Sequence, residues 1–157
     1  MKNKVKTYVL MLSKVFPADH PKVGISTDFK AKLKDGVKKH TIRGNAELWE
    51  HRAEEINAGR AELSVRQWSG KPYEPGSHQI EIARYTSLGT QRITMSFTSP
   101  WNRFICVHQD NGDAHYPVFI DVAENDGLSS EDFLAWFQAK KKKTYHGVIL
   151  HFTDMRY

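Results

Sequence analysis

Cysteine is almost absent from this chain of 157 residues: Cys106 is the single one. No intramolecular disulfide can form, and a reducing compartment is the simplest expectation. Cys106 lies in the apolar, strand-like run Arg103-Phe104-Ile105-Cys106-Val107, which predicts a buried structural thiol rather than a nucleophile. Long apolar runs are missing too. Nothing approaches the ~20 residues of a membrane-spanning helix. Behind Lys2, Lys4 and Lys6 the apolar stretch Tyr8–Leu12 falls short of the ~7–15 residues of a secretory leader. A cytoplasmic, soluble protein whose first strand starts near Val5 is expected. There is no phosphate-binding glycine loop and no dinucleotide fingerprint. The eight histidines lack zinc spacing. His146 and His151 have opposite strand parity, His108 and His115 are separated by a turn, and neither pair has a Cys or acidic partner at the right distance. No metal and no cofactor is expected.

What is present is enough for one core. Hydrophobic residues make up 39% of the chain and aromatics 11%, so a few large side chains should dominate the interior. No repeat, linker or composition break divides the sequence, which predicts one domain over residues 1–157, with a monomer favoured. The net charge of +5 points to acidic partners, most simply nucleic acid.

Periodicity predicts a first strand over Val5–Leu12. Thr27 or Asp28 then caps a short helix carrying Phe29 and Leu33 on one face, stopped by Gly36. A short strand covers Lys39–Gly44. Asn45 caps a helix running to about Ala58, with Leu48, Trp49, Ala53 and Ile56 facing inward. From Ala61 onward the period changes to two. Strands are predicted over Ala61–Trp68, Gln79–Tyr85, Gln91–Phe97, Trp101–His108 and His115–Ile120, separated by turn clusters. Ser129 or Ser130 caps a second long helix with Phe133, Leu134 and Phe137 inward, ended by Lys140–Lys143, and His146–Phe152 closes the fold as a strand. The class is α+β: about six or seven strands, most simply curled into a small mixed β-barrel, with two to three flanking helices.

The run Asp35-Gly36-Val37-Lys38-Lys39-His40-Thr41-Ile42-Arg43 concentrates the chemistry. On a strand, Thr41 and Arg43 share a face. Lys38 has the other parity, so it must enter from the turn that precedes the strand. An amine, a hydroxyl and a guanidinium then converge on one small volume, which suits an anionic or amide-bearing ligand. Farther along, Arg66-Gln67-Trp68-Ser69-Gly70-Lys71-Pro72-Tyr73 interleaves cations and aromatics. Arg66 and Lys71 are candidates for nucleic-acid or ligand binding, while Lys38 and Arg43 are the candidates for contact with phosphate or a base edge. Trp68 or Tyr73 is a candidate for stacking on a splayed base, a contact worth ~1–3 kcal/mol. The alternative places Trp68 in the core and Tyr73 on a turn rim. The lysine run 140–143 is read mainly as a complement to the helix dipole.

Gly36-x-Lys38-x-x-Thr41-x-Arg43 resembles the signature of the ASCH domain, a branch of the PUA-like superfamily, in its threonine-bearing form. That form includes the small bacterial N(4)-acetylcytidine amidohydrolases. A second block, Ala123-Glu124-Asn125-Asp126-Gly127-Leu128-Ser129-Ser130-Glu131-Asp132-Phe133, resembles the family's acidic segment and the capped helix after it, and Gly147–Phe152 resembles its closing strand. The blocks lie in the family's order and cover about a quarter of the chain. The resemblance implies a PUA-like β-barrel with a cleft at the signature loop, Thr41 as nucleophile, Lys38 as its activator and Asp126 as the acid/base. Asp126 stands where that family carries glutamate, one methylene longer, and Asn125-Asp126-Gly127 reads as a turn. The leading reading is binding of RNA or a modified nucleoside through Lys38, Thr41, Arg43 and Asp126; the alternatives are deacylation of N(4)-acetylcytidine or a related acylated base, ribonuclease activity, and protein interaction through the helix after Asn45.

Overall fold

The structure is a computed structural model that describes residues 4–99, 102–138 and 143–157. Two sheets carry the fold. The first has three strands in the order β1 (Lys6–Met11), β3 (Ala61–Trp68), β4 (Gln79–Tyr85), with β1 parallel and β4 antiparallel to β3. The second has five strands, β2 (His40–Arg43), β8 (Thr144–His151), β5 (Gly89–Ser99), β6 (Asn102–His108) and β7 (Ala114–His115), antiparallel throughout. The helices are α1 (Phe29–Lys34), α2 (Ala46–Asn57), α3 (Phe119–Asn125) and α4 (Ser130–Gln138). The fold is therefore α+β, with eight strands and four helices among the described residues. No ladder closes the two sheets into a barrel among these residues. The Arg43 side chain, on β2, reaches across to the carbonyl of Met11, on β1, at 2.7 Å. Tyr85 and Phe152 stack across the same divide at 5.1 Å.

Alternation dictates the central strands. Ala61, Leu63, Val65 and Gln67 bury one face of β3, and Val148, Ile149 and Leu150 of β8 are sealed from solvent on both sides. Cys106 is buried and free, as its apolar surroundings predict.

Helix α2 starts where Asn45 accepts a hydrogen bond from the Leu48 amide at 3.3 Å. Asn45 also sits at φ 54, left-handed backbone that asparagine tolerates better than most residues. Trp49, Ala53 and Ile56, at spacings of four and three, form its buried stripe. Leu48 does not: one residue from Trp49 is about 100° of rotation, and Leu48 is exposed. Asn45→Ala is expected to lower stability by about 1 kcal/mol and Asn45→Gly by a few tenths, because glycine keeps the backbone and loses only the cap. Chemical denaturation of the two variants checks this.

The segment read as a strand over His115–Ile120 folds differently. Pro117 lacks the N–H a ladder needs. After it Phe119, Val122 and Ala123 recur at helical spacing, and Val122 and Ala123 are fully buried. Pairing stops at His115 and α3 begins at Phe119. Asn125 is consequently the last helical residue and Asp126 the helix cap, with Gly127 turning the chain at φ 85. Ser129 caps α4 through the Asp132 amide at 3.1 Å. Trp101 and Lys140–Lys142 lie outside the described residues.

Candidate functional site

Three contacts set the site, two between backbone groups and one from a lysine side chain to backbone. The Lys39 amide donates to the Asn125 carbonyl at 2.7 Å, joining the start of β2 to the end of α3. Pairing of β2 with β8 puts Thr41 opposite Leu150 and His40 opposite His151. The Lys32 ammonium, from α1, donates to the Gly127 carbonyl at 2.8 Å. Lys38, Thr41, Arg43 and Asp126 are thereby brought to the wall of one cavity of about 240 Å³. Phe29, Trp136, Phe137 and Tyr145 supply its aromatic lining.

Lys38 is 2% exposed. Its ammonium donates to the Asp126 carbonyl at 2.6 Å and lies 3.5 Å from the Asp126 carboxylate. The Phe29 ring covers it with a centroid distance of 4.3 Å, a cation–π contact. Burial pulls the amine down to about 8; the Asp126 carboxylate opposes that pull and the Arg43 guanidinium adds to it. Arg43 is half-buried. It donates to the Thr41 hydroxyl at 2.9 Å, to the Ile42 carbonyl at 3.0 Å and to the Met11 carbonyl. Burial lowers its pKa from the usual very high value, with Asp126 opposing, and a guanidinium stays charged regardless. Burial raises the Tyr145 phenol.

The expected parity holds: Thr41 and Arg43 share a face, and Lys38 enters from the turn before β2. The lysine hydrogen-bonds to Asp126, however, while the threonine hydroxyl is held by Arg43. The shorter aspartate reaches the amine because α3 ends against Lys38, which brings the backbone of Asp126 within hydrogen-bond range. Gly127 allows this approach. A Cβ there would lie 3.2 Å from Lys38 Cβ and 3.3 Å from its Cγ. Gly127→Ala is expected to cost about 1–2 kcal/mol for its left-handed backbone and to push the lysine stem aside. Loss of any activity in a folded variant, with Gly24→Ala as a control at open, positive-φ backbone, checks this.

His40 is the functional neighbour that the sequence did not single out. Its Nδ1 lies 3.2 Å from the Asp126 carboxylate and its Nε2 2.7 Å from the Tyr157 hydroxyl, which also accepts from the Asn125 amide at 3.0 Å. Burial lowers the basicity of His40 and raises the Tyr157 phenol to about 12. His151, edge-on to His40 at 5.6 Å, donates from Nε2 to Gln91 at 2.9 Å; burial, then His40 and Arg156, push it down to about 3. The one available signal was parity, since His40 lies two residues after Lys38.

No family model matches this chain, and neither a curated protein nor a solved structure does.

The second candidate segment lies beside the cavity rather than in it. Trp68 and Tyr73 pack ring to ring at 4.9 Å and line a larger, mainly apolar groove of about 680 Å³ with Lys71. Leu12 and Ser13 belong to both the groove and the cavity. Tyr73 is 89% exposed, so it sits on the rim and not in the core. Lys71 is exposed, 3.7 Å from Glu74. Arg66 points elsewhere, to Ser64 at 2.8 Å and Gln79 at 3.2 Å.

Among the described residues no group of three His, Cys, Asp or Glu could hold a metal ion, and no helix is long and apolar enough to cross a membrane. His108 and His146 do converge, each on the Thr94 hydroxyl at 3.2 and 3.3 Å, without a third ligand among those residues.

Proposed function

We propose that this chain is an ASCH-like, PUA-like protein whose Lys38–Thr41–Asp126 cavity hydrolyses the amide of an N-acylated nucleoside, with N(4)-acetylcytidine as the substrate to which the resemblance points. One observation carries the reading: a fully buried amine, lowered to about 8, shares a small cavity with a hydroxyl held by a guanidinium. A structural lysine gains nothing from such burial, whereas a base needs an acidity near the working pH.

In this reading the neutral Lys38 amine, which lines the same cavity as Thr41, takes the threonine proton through a water relay of the kind general-base catalysis uses. The Arg43 N–H on Oγ stabilises the alkoxide as it forms. The oxygen attacks the acyl carbon, the C–N bond breaks, and the Lys38 ammonium returns its proton to the departing exocyclic amine. Water then releases the acid from the threonine ester. Asp126 holds the lysine in place and balances its charge. In this reading the two sheets, joined by the Arg43–Met11 hydrogen bond, correspond to the two halves of the small barrel that the resemblance implies. A cytoplasmic setting and a nucleic-acid-derived partner belong to the same proposal, supported by the single buried cysteine and the net charge of +5.

Release of cytidine and acetate from N(4)-acetylcytidine tests it, with Thr41→Val as control. Turnover by wild type alone is expected. No turnover, with the nucleoside still binding, leaves the second reading: an RNA or nucleoside binder in which the Trp68–Tyr73 groove holds a neighbouring base. Its affinity would then fall with salt, at a slope of about −0.7 per phosphate contact.

A further inference from the structure

The hydrogens in the chain Asn125–Tyr157–His40–Asp126 can be placed by counting donors. The Asn125 Nδ2 amide donates to the Tyr157 oxygen, so the single phenolic hydrogen is left for His40 Nε2. Nε2 is then the bare nitrogen, and Nδ1 carries the hydrogen that faces the Asp126 carboxylate. The opposite tautomer would aim a lone pair at a carboxylate and strand the phenolic hydrogen in the interior. Tyr157 is itself fixed: Gln91 accepts from its amide at 3.0 Å and donates to its carbonyl at 3.1 Å. Around His40 the other charged or titratable neighbours are Lys38 and, from β8, His151, whose Nε2 hydrogen is committed to Gln91.

We infer that Tyr157 is a positioning residue: its hydroxyl locks His40 as the Nδ1–H tautomer, and that N–H aims the Asp126 carboxylate at Lys38. The kinetic arm of the test rests on the hydrolytic reading above; the tautomer arm does not. Tyr157→Phe keeps the ring, which lies 5.7 Å from His40 and 6.1 Å from His151, and removes only the hydroxyl. His40→Asn places an amide N–H where Nδ1–H stood and has no tautomer to choose.

The experiment is ¹⁵N–¹H correlation of histidine-labelled protein, with His40→Asn identifying the His40 signals. Wild type is expected to show Nδ1–H and Tyr157→Phe a mixture. With N(4)-acetylcytidine, Tyr157→Phe should lower kcat about tenfold, the lower end for loss of an outer partner, and change KM less than twofold. In the His40→Asn background the same substitution should change nothing further. An Nε2–H signal in wild type, an unaltered tautomer in Tyr157→Phe, or a tyrosine effect that persists without His40 overturns the inference. Absence of turnover in wild type would overturn the hydrolytic reading and leave the tautomer measurement to decide this one.

Discussion

Asp126→Asn is expected to lower the unfolding free energy by about 3 kcal/mol at pH 7, the lower end for removing one partner of a buried pair. Asp126 is the carboxylate that supports Lys38, His40 and Arg43 together. Without it the Lys38 ammonium and the Arg43 guanidinium share the cavity wall with no carboxylate among its lining residues to offset them. The size of the loss should depend on pH. Above about 10.5 the lysine is neutral in the folded and unfolded chains alike, and about 1 kcal/mol should remain, for the weakened His40 hydrogen bond. Denaturant titrations at pH 7 and 10.5 measure both numbers; an equal loss at both would contradict the account. In activity, the same variant should move the pH midpoint below 8, because Asp126 is what keeps the amine from falling further.

Lys38→Met should lower kcat by about 10²–10⁴, the range for losing a general base. In wild type kcat should rise with pH through about 8, as the amine sheds its proton, and the variant's residual activity should not show that rise. Stability carries a second signature, whose sign is set by the direction of the shift. The folded amine releases its proton near 8 and the unfolded one near 10.5, so between those values the unfolded chain holds the extra proton. Folding is therefore penalised below 8, and the penalty disappears as pH rises to 10.5, a gain of about 3 kcal/mol. Lys38→Met should lack that gain. A flat wild-type stability between pH 8 and 10.5 would mean that the amine is not buried in the charged form.

Much of this was legible in the chain. Alternation located β3 and β4 at the residues where they occur, the Asn45 and Ser129 caps were readable from side-chain chemistry, and the spacing of Lys38, Thr41 and Arg43 already implied convergence. The rest depended on tertiary contacts. His115–Ile120 is rich in strand-formers; Pro117 stood against a strand there, but the burial of Val122 and Ala123 is what draws the following residues into α3. The partition into two sheets follows from long-range pairing, such as His40 with His151, that no local window contains. His40 looked incidental because its partners, Asp126 and Tyr157, are 86 and 117 residues away.

The burial of Lys38 makes it an unusual target for small electrophiles. At pH 7 about one molecule in ten carries it as a free amine, against about one in three thousand for an ordinary lysine. Reagents such as cyanate, compact enough for the 240 Å³ cavity, should carbamylate it ahead of the solvent-facing lysines, while bulky amine-reactive dyes should spare it. A preparation stored in aged urea would lose its most acidic lysine ahead of the other lysines, through a covalent change at a buried position.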